Sequence, residues 1–243
     1  MKILNLNLFA KLGLFVYIFI YLISPKLAIT QITNVDIRKN LENALNTRNL
    51  KLIKNIFKED ENFKIQEKFK AIIKDFPNSK WQIKRLSGGN SKEKIFNIKV
   101  NGMKIVNGEI YILESNFKYL FSTQNDKINN GNIKNLLTTI RNDQNEIDII
   151  FRIPEKVLTG TKYDIDIILN EPLGNVIIAG GIISHQDESY LKQDVKIEPL
   201  VSGGIFKTTR APSEPAKQIW SGILAHPKGT ISFTKSVEIV EKI

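Results

Sequence analysis

The sequence predicts an α+β fold in which helices pack on a curved, cone-like antiparallel sheet, followed by an all-β sandwich. Two changes in hydrophobic periodicity carry this prediction. Apolar residues recur at helical spacing as far as Pro77, and from Lys80 onward they alternate with polar residues. From residue 146 the alternating runs become short and are separated mostly by Gly, Pro, Asn or Asp. Helices followed by strands are typical of α+β proteins.

The first part of the chain is typical of a secretory signal peptide. Lys2 and Lys11 precede an uncharged apolar run over residues 12–24, which is shorter than the roughly 20 residues that span a bilayer. A small-x-small motif at residues 28–30 predicts cleavage at the end of residues 1–30. The sequence therefore predicts an exported protein, periplasmic or otherwise extracytoplasmic. The alternative is an uncleaved segment that anchors the protein in the membrane.

Three helical segments are predicted after the signal. The first has Asp36 as a candidate N-cap, and the second begins near Leu50. The apolar face of the first consists of Ile37, Leu41, Ala44 and Leu45. The third is predicted from an apolar stripe that Pro77 ends. That stripe consists of Ile65, Phe69, Ile72, Ile73 and Phe76.

Alternation with a period of two, from Lys80 onward, predicts an antiparallel meander. Gly88–Asn90 predicts a turn, and Asn101–Gly102 is a hairpin signal between two alternating runs. Asn130–Gly131 introduces residues 132–141, which we interpret as a closing strand. A short helix is the alternative for this last segment.

A polar linker near residues 142–145 separates two predicted domains, which cover residues 31–142 and 146–243. The second contains seven strand-like runs and no helical stretch, which predicts a β-sandwich. Residues 162–169 alternate most clearly, with Tyr163, Ile165, Ile167 and Leu169 on one side. Gly180–Gly181 lies inside another run and predicts a β-bulge.

Helices with such a stripe, followed by a meander, resemble the nuclear-transport-factor-like and cystatin-like α+β folds. The resemblance covers about residues 34–142 and depends on the order of the elements. It implies a conical pocket, which serves isomerases, dehydratases or cyclases in some members and only binding or scaffolding in others. The second domain resembles an immunoglobulin-like sandwich in architecture alone, because the chain has no cysteine pair. The combination of both domains resembles exported, uncharacterised bacterial envelope proteins.

The composition is basic and free of cysteine. With 35 Lys and Arg against 25 Asp and Glu, the formal net charge is +10. The lysines are spread along the chain, which is typical of a solvated basic surface. The charge also predicts attraction to an anionic envelope polymer or an acidic protein partner. The export signal and the lack of an arginine-rich aromatic surface argue against nucleic acid. The lack of cysteine excludes disulfides and thiolate catalysis.

Sequence motifs of nucleotide, hydrolase and metalloprotease chemistry are absent. The two histidines, His185 and His226, both fall in the second domain, which excludes His-dependent chemistry in the first. Ser184–Glu188 combines a hydroxyl, an imidazole and two carboxylates, and a polar loop explains it better than a catalytic triad or a cation site. His226 precedes a Pro-Lys-Gly turn, so we interpret it as a strand-end residue that caps the turn or the layer of Trp220. We expect no metal and no cofactor.

One candidate site lies in the first domain. Glu109 and Tyr111 share a face of the central meander, and Asn97 lies on the neighbouring strand. These three are the candidate ligand-binding residues, because a carboxyl group buried in a pocket could act as a base. They would serve the alternative function, a small-ligand carrier or a His-independent enzyme that uses the pocket.

The other candidate site is a proline-rich connection in the second domain. Pro212 and Pro215 favour an extended segment that presents Arg210 to a partner. These residues suit the function that the sequence favours, a non-catalytic binding or interaction module of the cell envelope.

Overall fold

The structure is a computed structural model of the chain. It describes residues 36–58, 63–87, 93–142, 147–170, 176–185, 195–200 and 203–241. The predicted signal peptide and the predicted turn at residues 88–90 lie outside the described residues, as does residue 35. Residues 36–243 belong to one compact unit.

Three short helices are present in the described residues: α1 (Ile37–Asn46), α2 (Leu50–Ile56) and α3 (Phe63–Asp75). The Asp36 side chain accepts a hydrogen bond from the Lys39 amide at 3.3 Å, which confirms the predicted N-cap. The predicted apolar face of α1 is buried throughout. In α3, Phe69 and Ile73 are buried and Ile72 packs against the same core, whereas the Ile65 side chain lies outside the described part.

The described strands account for most of the fold. They are β1 (Lys80–Leu86), β2 (Lys94–Val106), β3 (Glu109–Gln124), β4 (Lys127–Arg141), β5 (Ile149–Arg152), β6 (Lys156–Leu158), β7 (Lys162–Leu169), β8 (Ile178–His185), β9 (Glu198–Leu200), β10 (Gly204–Arg210), β11 (Ala216–His226) and β12 (Gly229–Val240). Residues 132–141 lie within β4, so the predicted closing strand is confirmed and the alternative helix is wrong.

These strands form two sheets. The larger runs in the order β1-β2-β3-β4-β12-β11-β8-β9, with antiparallel neighbours, and β6 pairs in parallel with the end of β12. The smaller has the order β10-β7-β5. Because residues 137–141 of β4 pair with residues 231–235 of β12, the larger sheet continues across the predicted domain boundary. The extent of each domain stays a prediction.

The predicted hairpin at Asn101–Gly102 is wrong, because β2 continues through it. The chain turns instead at Asn107 and Gly108, whose φ angles of 53° and 87° suit a tight hairpin between β2 and β3. Gly102 has a packing role: a Cβ there would lie 3.0 Å from the Phe76 Cβ. An asparagine–glycine pair inside a strand thus makes room for a residue that follows α3.

Asn130–Gly131 also lies inside a strand rather than before one. The turn between β3 and β4 is formed by Asn125 and Asp126, with φ angles of 51° and 57°. The pairing of β3 with β4 shifts in register near Asn130, which has a positive φ of 49°. At Gly131 a Cβ would collide with the Tyr119 hydroxyl, so glycine leaves space for that ring.

The helices and the smaller sheet cover opposite faces of the larger sheet. We call face 1 the face that carries Phe117 and Tyr119, and face 2 the face that carries Trp220 and Phe233. Directly paired residues of antiparallel strands share a face, so the register extends both faces from β1 to β8. The helices pack on face 1 of β1–β4, and the smaller sheet packs on face 2 of β11 and β12. Neither layer covers face 2 of β1–β4 or face 1 of β11 and β12.

The core under the helices is rich in aromatic side chains. Phe69 is its centre, because its ring lies 5.4 to 6.5 Å from four other aromatic rings. Those rings belong to Phe57, Trp81, Phe117 and Tyr119. Edge-to-face and offset contacts of this kind add to the stabilisation from apolar burial.

Side chains of α1 protect the open edge of the larger sheet at β1. The Asn46 amide group donates to the Trp81 carbonyl and accepts from the Trp81 amide, both at 2.9 Å, as a strand partner would. Arg38 donates to the Ile83 carbonyl at 3.3 Å. Unpaired edges invite pairing with other chains, and these bonds reduce that risk.

The core under the smaller sheet is built around Trp220. Its indole N–H donates to the Tyr163 hydroxyl at 2.9 Å, and that hydroxyl donates to Gln218 at 2.6 Å. The ammonium group of Lys207 lies 5.3 Å from the centre of the Trp220 ring. The predicted alternation of residues 162–169 is confirmed, with the four predicted side chains buried.

With Tyr119→Phe, we expect the free energy of unfolding to fall less steeply as the pH rises into the alkaline range. Tyr119 is fully buried, its hydroxyl has no hydrogen-bond partner among the described residues, and burial raises its pKa. The unfolded chain loses this proton above pH ~10 while the folded protein keeps it. The contribution of Tyr119 to the free energy of unfolding is therefore fully present below pH ~10 and falls by about 1.4 kcal/mol per pH unit above it. Phenylalanine cannot ionise, so it removes this pH dependence.

Urea unfolding on either side of pH ~10 measures this effect. Tyr163→Phe is the matched control, because burial also raises the Tyr163 pKa but its hydroxyl bonds to Trp220 and Gln218. We expect that control to lose stability already at neutral pH. Identical pH slopes for Tyr119→Phe and the wild type would contradict the assignment.

Candidate functional site

The structure separates the three predicted ligand-binding residues. Glu109 is exposed and Tyr111 half-buried on face 1 of β3, where Tyr111 packs against the aromatic core. Asn97 lies on face 2, because it pairs directly with Lys118 rather than with a core residue. Glu109 and Tyr111 therefore share a face as expected, and Asn97 belongs to a different surface.

Large side chains fill the space between the helices and the sheet. Phe57, Phe69, Trp81 and Phe121 are each no more than 1% exposed there. Tyr111 is partly buried and packs against the margin of this cluster. The described residues of this region thus form a core of buried aromatic side chains, and the pocket alternative stays a prediction.

The predicted partner-binding residues are tied to the turn that precedes β7. Arg210 donates to the Gly160 carbonyl at 2.7 Å, and the Pro212 carbonyl accepts from the Gly160 amide at 2.8 Å. Pro215 is exposed. Two of the three thus contact their own chain, although all three remain at the surface or partly buried.

The surroundings of the two histidines are typical of residues with a structural role. Nδ1 of His226 accepts the Lys228 amide at 3.1 Å, so the ring caps the turn as predicted. His185 is 6% exposed at the end of β8 and pairs with Ile219, whereas Ser184 lies on the opposite face. Asp187 and Glu188 lie outside the described residues. Across the described ranges, no three His, Asp or Glu side chains come together as a metal site.

Face 2 of β1–β4 carries a row of lysines that sequence reasoning missed. The register places Lys84, Asn97, Lys118 and Lys134 side by side on four successive strands. The next row holds Gln82, Lys99, Asn116, Leu137 and Lys235. Together with Lys80 and with Lys235, which lies on β12 at the border with the smaller sheet, we call this surface the basic face: Lys80, Lys84, Lys99, Lys118, Lys134 and Lys235. Side-chain amides lie among the ammonium groups in both rows.

The charges of the basic face are poorly compensated. Lys118 and Lys134 are directly opposite each other, an arrangement that destabilises a sheet. Lys134 reaches Glu238 at 3.3 Å, but Lys84, Lys99, Lys118 and Lys235 make no ion pair within the described residues. Glu114 is the one acidic side chain that the register places on this face of β1–β4 in the described part. The face is therefore a concentrated positive field.

The sequence alone indicates that these lysines lie on the outer side of their strands, but only the strand register shows that they are neighbours. Lys84, Lys99 and Lys118 each follow a buried core residue, so alternation alone places them on the outer side of their strands. Whether they are neighbours depends on where the hairpins turn. A turn predicted at Asn101–Gly102 gives the wrong register between the strands, so it does not reveal that these lysines are aligned.

A cleft lies on face 1 of β4, β11 and β12, the second surface that neither described layer covers. Its volume is about 550 Å³. Its floor is formed by Thr138, Ile140, Ser221, Ile223, Ser232 and Thr234. Val195 and Ile197 form a wall on the segment that leads into β9. The lining thus combines hydroxyl and aliphatic groups.

Gly181 allows this wall to lie close to the sheet. The pairing of β8 with β11 is regular through Gly180–Gly181, so the predicted bulge is wrong. A Cβ at Gly181 would collide with the Lys196 carbonyl and approach the Val195 side chain to 2.9 Å. The glycine therefore permits a close backbone approach, its other common role in strands.

Comparison with protein families matches residues 144–240 to a domain of unknown function, DUF8623. This match covers most of the second predicted domain and less than half of the chain. Comparisons with the curated proteins and with the solved structures give no match. Among the described residues, no helix has both the length and the apolar content needed to cross a membrane.

Proposed function

We propose that this protein is a non-catalytic binding module of the cell envelope that attracts an anionic polymer to its basic face. The observation that carries the proposal is the alignment of uncompensated lysines on a sheet surface, face 2 of β1–β4, that no described layer covers. Strands about 4.8 Å apart place Lys84 and Lys118, two strands apart, about 10 Å from each other. A polymer with repeated phosphodiester or carboxylate groups can follow such an array.

The surroundings of these lysines favour a polymer over an acidic protein. Protein interfaces usually have an apolar, aromatic core, whereas the centre of the basic face carries the amides Asn97 and Asn116. Side-chain amides donate hydrogen bonds to anionic oxygens. No aromatic side chain projects from the described positions of this face on β1–β4, so the stacking platform of a single-strand nucleic-acid site is missing.

The fold supports a scaffold role for both halves. We propose that α1–β4 form a nuclear-transport-factor-like or cystatin-like layer, because helices pack on one face of a long-stranded antiparallel sheet. We propose that β5–β12 form an immunoglobulin-like sandwich, because a second sheet packs on Trp220 and Phe233. Export through residues 1–30 would bring the basic face to the envelope polymers.

Binding of inorganic polyphosphate and of polyglutamate tests the proposal. We expect affinity for at least one of them to fall about a hundredfold between about 50 and 200 mM salt, if about five lysines engage the polymer. Titration calorimetry at several salt concentrations gives this slope. Salt-independent binding, or no binding of either polymer, would contradict the proposed function.

A pair of variants of equal charge separates the basic face from net charge alone. The basic-face variant changes Lys84, Lys99, Lys118 and Lys235 to Gln. The control variant changes four exposed lysines elsewhere to Gln: Lys39, Lys51, Lys74 and Lys162. We expect the first to lose most of the salt slope, since each phosphate contact contributes about 0.7–0.9 to it. Equal losses in the two variants would contradict a localised site.

A further inference from the structure

The hydroxyl groups of the cleft form a row across the sheet. Ser115, Thr138, Thr234 and Ser221 are directly paired on β3, β4, β12 and β11, so their side chains follow one another on face 1. Ser115 and Thr138 are hydrogen-bonded at 2.6 Å, and Ser221 and Thr234 at 3.2 Å. Ser115 is buried, whereas the other three line the cleft.

Each pair of hydroxyls keeps hydrogen-bonding capacity. A serine or threonine hydroxyl has one proton and two acceptor lone pairs. In the Ser221–Thr234 pair, one hydroxyl donates a hydrogen bond to the other. The second hydroxyl keeps its proton, and the pair keeps several lone pairs, for hydrogen bonds to a ligand. The cleft floor therefore both donates and accepts. It suits a ligand whose own groups also do both.

Aliphatic groups flank this row on the floor and the wall of the cleft. Ile140 and Ile223 lie beside the hydroxyls on the floor, and Val195 and Ile197 form the wall. Pairing of β8 with β9 and the close approach at Gly181 hold that wall against the sheet. The volume of about 550 Å³ lies in the usual range for small-molecule sites.

The described lining disfavours two classes of ligand. It contains no ionisable side chain among the described residues, so a charged ligand would lose its hydration without a partner. A purely hydrocarbon ligand would bury the hydroxyls without hydrogen bonds, which is also unfavourable. A sugar ring offers hydroxyls for the row and C–H surface for the aliphatic wall.

We infer that this cleft binds a neutral sugar residue, with Ser221 and Thr234 as its polar contacts and Ile223 and Ile197 as its apolar ones. The site lies on face 1, so it is separate from the basic face on face 2. It goes beyond the proposed function and does not depend on it.

Titration of the full chain with neutral saccharides tests the inference by NMR. The probes are methyl glucoside, N-acetylglucosamine and their disaccharides, and glucuronate and octanol serve as charged and apolar counterparts. We expect at least one neutral saccharide to shift the amides of β11 and β12 at the cleft saturably. Ser221→Ala and Thr234→Val should each weaken that binding about fivefold, the effect of one lost hydrogen bond.

Thr139→Val is the matched control, because Thr139 lies beside Thr138 on the opposite face. It should leave saccharide binding unchanged, and thermal unfolding of all three variants shows that they are folded. Failure of every neutral saccharide to perturb the cleft would overturn the inference. Octanol binding that Thr234→Val strengthens, without saccharide binding, would overturn it as well, since that outcome identifies an apolar site.

Discussion

Trp220→Ala is expected to lower the free energy of unfolding by about 3–5 kcal/mol. Trp220 is 1% exposed between the two sheets, and its loss leaves a cavity beside Ile165 and Phe233. It also removes the hydrogen bond that Tyr163 accepts at 2.9 Å. Urea unfolding followed by circular dichroism measures the change. A loss below about 1 kcal/mol would contradict burial at the centre of the core between the two sheets.

The same variant shows whether the two halves of the sheet unfold together. The chain has two tryptophans, so Trp220→Ala leaves Trp81 on β1 as the only one. Because β4 pairs with β12, we expect the Trp81 fluorescence transition to shift to lower urea together with the dichroism signal. A Trp81 transition that keeps its wild-type midpoint would instead show that residues 36–142 fold independently.

Phe69→Ala is expected to cost a similar 3–5 kcal/mol in the other core. Phe69 is 1% exposed and its ring contacts four aromatic neighbours, so the cavity would open at the centre of the helix-covered face. Leu52→Ala on α2 is the control, since Leu52 is 40% exposed. It should change stability by about 0.5 kcal/mol or less. Similar losses for both variants would contradict the core assignment.

Local patterns in the sequence predict the secondary structure well. The helical stripe of α3 and the alternation of residues 162–169 depend on burial of one face, which leaves a direct periodic trace. The turn positions were harder to predict. Three Asn-Gly pairs occur between Asn101 and Gly131, and only Asn107–Gly108 forms the turn, because Gly102 and Gly131 instead make room for Phe76 and Tyr119.

The binding surfaces were predicted less well, because both depend on contacts between distant segments. Asn97 was a candidate for a pocket, yet the register places it between Lys84 and Lys118 on the outer face. The cleft requires β4 to pair with β12, almost one hundred residues later in the chain. No local pattern near Thr138 indicates that Thr234 and Ser221 will become its neighbours.

Lysine footprinting tests the central claim, that the basic face binds an anionic polymer, most directly. The full chain is acetylated with and without polyphosphate, and the modification of each lysine is quantified by mass spectrometry. We predict protection of Lys84, Lys99 and Lys118, with Lys51 and Lys74 on the helices modified as before. Uniform protection, or protection of the helix lysines alone, would contradict the claim.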